Sequence, residues 1–87
     1  MSSVTVHING DMDKRLYVPV EKEDTVEDVN KRAARMALEK FPDEFIEESV
    51  EEASKCYGLN VKNTFFDPQE SAQNIVGYSY MSYSFKG

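Results

Sequence analysis

The chain has 87 residues, the length of one domain and too short for two hydrophobic cores. Sixteen acids against ten bases leave a net charge of -6, which argues against a phosphate-backbone binder, because that chemistry needs a basic footprint. With one cysteine, Cys56, no internal disulfide is available to staple so small a core.

Val4, Val6 and Ile8 alternate with Thr5, His7 and Asn9, the period of a half-buried strand. Asn9-Gly10-Asp11 follows as a turn, and Leu16, Val18 and Val20 then alternate with Tyr17 and Pro19. The two runs read as a β-hairpin with its loop around residues 10–14. Pro19 donates no ladder hydrogen bond, so the second strand belongs at a sheet edge and the first further inside.

Asp24 or Thr25 caps the helix that follows, and Glu27 and Asp28 suit the positive end of its dipole. Val26, Val29, Ala33, Met36 and Ala37 form its apolar stripe, with Lys31, Arg32 and Arg35 on the other side. Pro42 ends it near Lys40 or Phe41. A second helix is expected over residues 43–57, with Gly58 as its stop and Phe45, Ile46, Val50, Ala53, Cys56 and Tyr57 as its apolar stripe. A third strand over 59–66 is interrupted by Asn60, Lys62 and Asn63, and Asp67-Pro68-Gln69-Glu70 reads as a tight turn or a single helical turn. A long Tyr- and Ser-rich strand over 75–85 closes the chain. The expected fold is α+β, a single domain over residues 1–87 in the order β-β-α-α-β-β. Its helices pack on one face of a mainly antiparallel sheet.

The hairpin over 4–20, its edge strand and the helix opening Asp24-Thr25-Val26-Glu27-Asp28-Val29 resemble the start of ubiquitin-like β-grasp proteins. The resemblance covers roughly the first 40 residues. The second helix departs from that family, and Phe85-Lys86-Gly87 lacks the terminal Gly-Gly of conjugated members. The resemblance therefore implies a noncovalent adaptor, or an accessory subunit of a multicomponent enzyme, not a covalent tag.

The sharpest chemical feature is acidic. Residues 41–55 hold six acids, Asp43, Glu44, Glu47, Glu48, Glu51 and Glu52, against one base, Lys55, and so carry -5 of the total -6. On a continuous helix Glu44, Glu47, Glu48 and Glu51 share one face, and like charges at these spacings repel. Such a ridge suits docking on a basic groove, with imitation of nucleic-acid phosphates as the extreme form. Its plainer use is a solvated face that aids solubility. The second feature is the final segment, where Tyr78, Tyr80 and Tyr83 alternate with serines and offer rigid contact area with polar tips. Ordinary half-buried strand packing accounts for the same residues.

No catalytic frame is legible. His7 stands alone, so a zinc site lacks ligands. Cys56 falls on an apolar stripe, as a structural thiol does. Asn9, Asp11 and Asp13 imitate the start of a calcium loop, but its sixth position is Lys14 and its twelfth Val20. No cofactor and no enzymatic activity are expected. The expected function is a small acidic binding module that inhibits or regulates a larger, basic-surfaced partner that handles nucleic acid. Compact acidic proteins of this kind occur among phage-encoded inhibitors. Neither direct nucleic-acid binding nor membrane contact is expected. Weak salt-sensitive self-association through Lys31, Arg32 and Arg35 is the one homo-oligomeric contact the charges suggest. The start Met1-Ser2-Ser3 shows no secretory leader, and a cytoplasmic location is expected.

Overall fold

The computed structural model describes residues 2–46 and 49–86. Strands β1 (Ser2–Ile8) and β2 (Arg15–Val20) form the expected antiparallel hairpin, with Val4 opposite Val18 and Val6 opposite Leu16. Asn9 and Gly10 both hold positive φ, and the Asp11 N–H donates to Ile8 O at 2.9 Å, a type I′ turn that glycine tolerates at no steric cost.

Helix α1 (Val26–Lys40) starts from a capping box. The Asp28 N–H donates to Thr25 Oγ1 at 3.3 Å, and the Thr25 N–H donates to the Asp28 carboxylate at 2.9 Å. Thr25 is therefore the cap. Asp24, the other candidate, turns its carboxylate to Arg32 instead. Val26, Val29, Ala33 and Ala37 are buried, with Ala34 beside them, and Met36 is half-buried.

The expected second helix over 43–57 is two elements. Pro42–Glu44 make a 3-10 turn, Phe45 is extended at φ -125° and ψ 138°, and α2 (Val50–Cys56) begins anew at a Ser49 cap. The Glu52 N–H donates to Ser49 Oγ at 3.2 Å. Two forces favour the break. Continuous winding would stack six acids at repelling spacings. The extended residue also lets the Phe45 ring enter the core, 4.9 Å from Tyr57 between centroids.

The third segment is a hairpin of β3 (Tyr57–Val61) and β4 (Thr64–Phe65), joined by Lys62 and Asn63, both at positive φ. Tyr57, expected at a helix end, opens β3. Only Ser82–Phe85 of the expected long final strand pairs, as β5. Ala72–Asn74 form a 3-10 turn that buries Ala72, and Ile75 beside it is fully buried.

The sheet order is β2-β1-β5-β3-β4. β5 runs parallel to β1 through His7–Ser82 and Ile8–Tyr83, and antiparallel to β3; the remaining pairs are antiparallel. β2, with Pro19, lies at one edge as expected. Val6, Ile8, Leu16, Val18, Leu59 and Tyr83 form the buried face under the helices. The fold is α+β, with helices packed against a mixed, mainly antiparallel sheet.

Candidate functional site

The acidic stretch is not one ridge. Glu44 sits on the 3-10 turn, and its carboxylate pairs with Lys14 from the β1–β2 loop. Lys14 also stands 3.8 Å from Asp11. Glu51 and Glu52 occupy the first exposed turn of α2, and Asp43 is exposed. Glu47 and Glu48, the middle of the expected ridge, lie outside the described residues. Between Phe45 and the cap of α2 stands Ile46, which is 92% exposed. The sequence places Ile46 on a buried stripe. The break after Glu44 instead buries Phe45 and turns Ile46 outward.

The three tyrosines fall in three different environments. Tyr83 is fully buried against Phe45 and Tyr57, and its hydroxyl donates to Ala53 O at 3.3 Å, so its place is in the core. Tyr78 is about half exposed and rests against Phe66, 5.2 Å between centroids. Tyr80 stacks on His7 at 4.7 Å and donates its hydroxyl to Gly10 O at 3.3 Å. Tyr78 and Tyr80 precede β5, so the strict alternation expected of a strand does not govern them.

His7 faces away from the helices with Arg15 and Ser82, yet Tyr80 covers it and leaves it 3% exposed. Its Nδ1 is buried without a hydrogen-bond partner among the described residues. Burial first, and the Arg15 charge second, push its pKa below the usual histidine range, so the ring is neutral at pH 7. Beside it, Asn60 donates to Gly58 O at 3.1 Å and Ser82 O at 3.3 Å, and the Ser82 hydroxyl donates to His7 O at 3.2 Å. These bonds stitch β1, β5 and β3 together.

The basic residues of α1 are partly committed. Arg32 donates to Asp24 Oδ2 and to Pro19 O, both at 2.7 Å, and Lys31 lies 3.8 Å from Glu27. Of the expected self-association trio, Arg35 is exposed and has no ion pair among the described residues. Cys56 is half-buried at the end of α2, packed against the core. In the β1–β2 loop, the Asp13 N–H donates to Asp11 Oδ1 at 2.9 Å, the bond of a turn. Among the described residues no group of three His, Cys, Asp or Glu side chains is placed to hold a metal ion, and no helix is long and apolar enough to cross a membrane.

Ile46 is an outward residue that the apolar periodicity of the sequence does not mark. The available signal was Ser49 three residues before Glu52, a cap that restarts a helix and frees the residues before it. No protein-family model, no curated protein and no solved structure matches the chain.

Proposed function

We propose that this protein is a noncatalytic binding module that docks through residues 43–52 on a basic surface of a larger partner and thereby inhibits or regulates it. The observation that carries the reading is Ile46, 92% exposed, on a segment whose described acids Asp43, Glu51 and Glu52 face solvent. Full burial of an isoleucine side chain contributes roughly 1.5–3 kcal/mol. The carboxylates around it steer a basic partner and set the register of docking. Glu44 contributes less to such a contact than its neighbours, because Lys14 already neutralises it. A nucleic-acid-handling partner in the cytoplasm supplies the basic surface this reading calls for. Tyr78 and Tyr80 remain reachable as flanking contacts, whereas Tyr83 does not.

The test is retention from nuclease-treated lysate on immobilised wild-type protein, Ile46→Ala, and Glu51→Gln with Glu52→Gln. Docking through the segment predicts a specific protein retained at low salt and lost at high salt, at least tenfold depleted on either variant. An unchanged retained set on both variants removes the segment from the account.

A second reading has its own support. With β2 at the edge, α1 across the sheet and the last strand parallel to the first, the β-grasp resemblance stands as a proposal, and with it an accessory subunit of a multicomponent enzyme. That reading predicts salt-resistant association, with the acidic segment left in solvent.

A further inference from the structure

Between α1 and α2 lies a cleft of about 440 Å³, within the size range of small-ligand sites. Glu27, Asn30 and Lys31 face it from α1 at positions i, i+3 and i+4. Glu51, Ser54 and Lys55 repeat the same acid, polar, lysine spacing on α2. Pro68 and Lys86 complete the wall. The cleft thus gathers three ammonium groups against two carboxylates, in a chain whose acids outnumber its bases 16 to 10. Lys31 already neighbours Glu27, so Lys55 on α2 and Lys86 just past β5, set against Glu51, leave the cleft a net positive charge.

The wall also carries an unmet demand. Asn30 is only 8% exposed. Its Nδ2 donates to Ser54 O at 3.1 Å and to Tyr57 O at 3.4 Å, which fixes the amide's orientation. Its Oδ1 is then left buried, with no hydrogen-bond partner among the described residues. The large majority of buried side-chain polar atoms in folded proteins have a hydrogen-bond partner, so this oxygen is an acceptor with a place for a donor. Asn30 also lines a smaller inner pocket of about 50 Å³, whose apolar wall is Val26, Leu59, Phe65 and Phe66. The cleft and the inner pocket share Glu27, Asn30, Pro68 and Lys86.

We propose that this cleft binds a carboxylate adjacent to an amide N–H and a small apolar side chain, the chemistry of an N-acylated alanine. Lys55 and Lys86 hold the carboxylate, Asn30 Oδ1 accepts from the N–H, and the inner pocket receives the side chain. A free N-acyl amino acid and the C-terminal residue of a peptide share that chemistry.

The test is an NMR titration of the full chain with N-acetylalanine, with its amide, and with a tetrapeptide ending in alanine, either free or amidated. The expected result is saturable movement of the Asn30 side-chain amide and of the Ser54, Lys55 and Lys86 backbone signals. Each free acid binds at least tenfold more tightly than its amide. Lys86→Gln, an exposed residue whose backbone bond to Cys56 O survives the change, weakens the acids at least threefold. Ile46→Ala leaves the binding unchanged, because Ile46 does not line the cleft; Glu51 belongs both to the cleft and to the docking segment, so Ile46 is the residue that tells the two apart. Tighter binding of the tetrapeptide than of N-acetylalanine identifies a peptide C-terminus as the ligand, and equal binding identifies the free acyl amino acid. Absence of saturable shifts, equal binding of acids and amides, or an unaffected Lys86→Gln overturns the proposal.

Discussion

Asp24 ties three parts of the chain together, and its removal should show in both the size and the pH dependence of the loss. Its carboxylate accepts from Arg32 Nη1 at 2.7 Å, from Arg32 Nη2 at 3.4 Å and from the Glu21 N–H at 2.8 Å. The same Arg32 donates to Pro19 O on the edge strand, and Asp24 O accepts from the Ala72 N–H at 2.9 Å. Asp24 is buried, and Arg32 is about one quarter exposed. The pair therefore lies between a surface ion pair, worth about 0–1 kcal/mol, and a buried one, whose disruption costs about 3–5 kcal/mol. A hydrogen bond to a charged group contributes roughly 1.5–3 kcal/mol. Asp24→Asn, which keeps the shape and removes the charge, should cost about 2 kcal/mol. In urea, with a slope of about 1 kcal/mol per molar for a domain this small, the unfolding midpoint falls by about 2 M and the slope is unchanged.

The sign of the pH effect follows from the carboxyl's environment. The Arg32 hydrogen bond holds the Asp24 pKa below the usual carboxylate value; burial opposes this, and the Glu21 N–H reinforces it. The unfolded chain then binds the proton more readily than the folded one. The stabilisation is fully present above the unfolded value, near pH 4, and is lost as pH falls through the lowered folded value. Wild type and Asp24→Asn should differ most at neutral pH and converge in strong acid. A difference below about 0.5 kcal/mol at pH 7, or one that stays constant into acid, refutes this account of the clamp.

The burial of His7 and of Tyr83 carries two further predictions. His7, held neutral by burial and by Arg15, should make stability fall as pH drops below about 6.5, the unfolded histidine value, through its lowered folded value. An NMR titration of the ring reads that folded pKa, and a value at or above 6.5 contradicts the burial argument. Tyr83→Phe removes the hydroxyl and with it the bond to Ala53 O and should cost about 1 kcal/mol, whereas Tyr83→Ala should cost about 3–5 kcal/mol. Tyr78→Ala, on a half-exposed residue, should cost under about 1 kcal/mol, and thermal or urea unfolding of the three variants checks that order.

The elements set by local chemistry were legible in the sequence. Alternation of Val4, Val6 and Ile8 gave β1, Asn9-Gly10 gave the turn, and Pro19 gave the edge. The start of α1 was legible to within one residue, as Asp24 or Thr25, because a cap is a contact between residues three apart; the structure selects Thr25. The elements set by long-range contact were not legible. Tyr78 and Tyr80 have strand-like composition, but Tyr80 is held by His7 and Gly10, some seventy positions earlier in the chain. Only the tertiary fold decides that Ser82, not Ile75, is where pairing begins. Lys62 and Asn63 looked like interruptions of one strand; their shared positive φ makes them the turn between two.

The acidic stretch shows how one feature supports opposite readings. Six acids in ten residues make a persuasive ridge only if the helix beneath them is continuous. The same charges oppose that continuity through repulsion between successive turns. Phe45, in extended backbone, turns its ring inward onto Tyr57 and Tyr83. Ile46 is displaced outward as a consequence, and Ser49 restarts the helix behind it. The apolar residue that the sequence assigns to the core becomes the apolar point around which an acidic docking surface can be built. Phe45→Ala tests whether Ile46 can take the inward place instead. If Ile46 fills the vacated site, its backbone amide should exchange more slowly while the domain loses stability, and if it stays exposed, the break is fixed by the acids and the Ser49 cap alone.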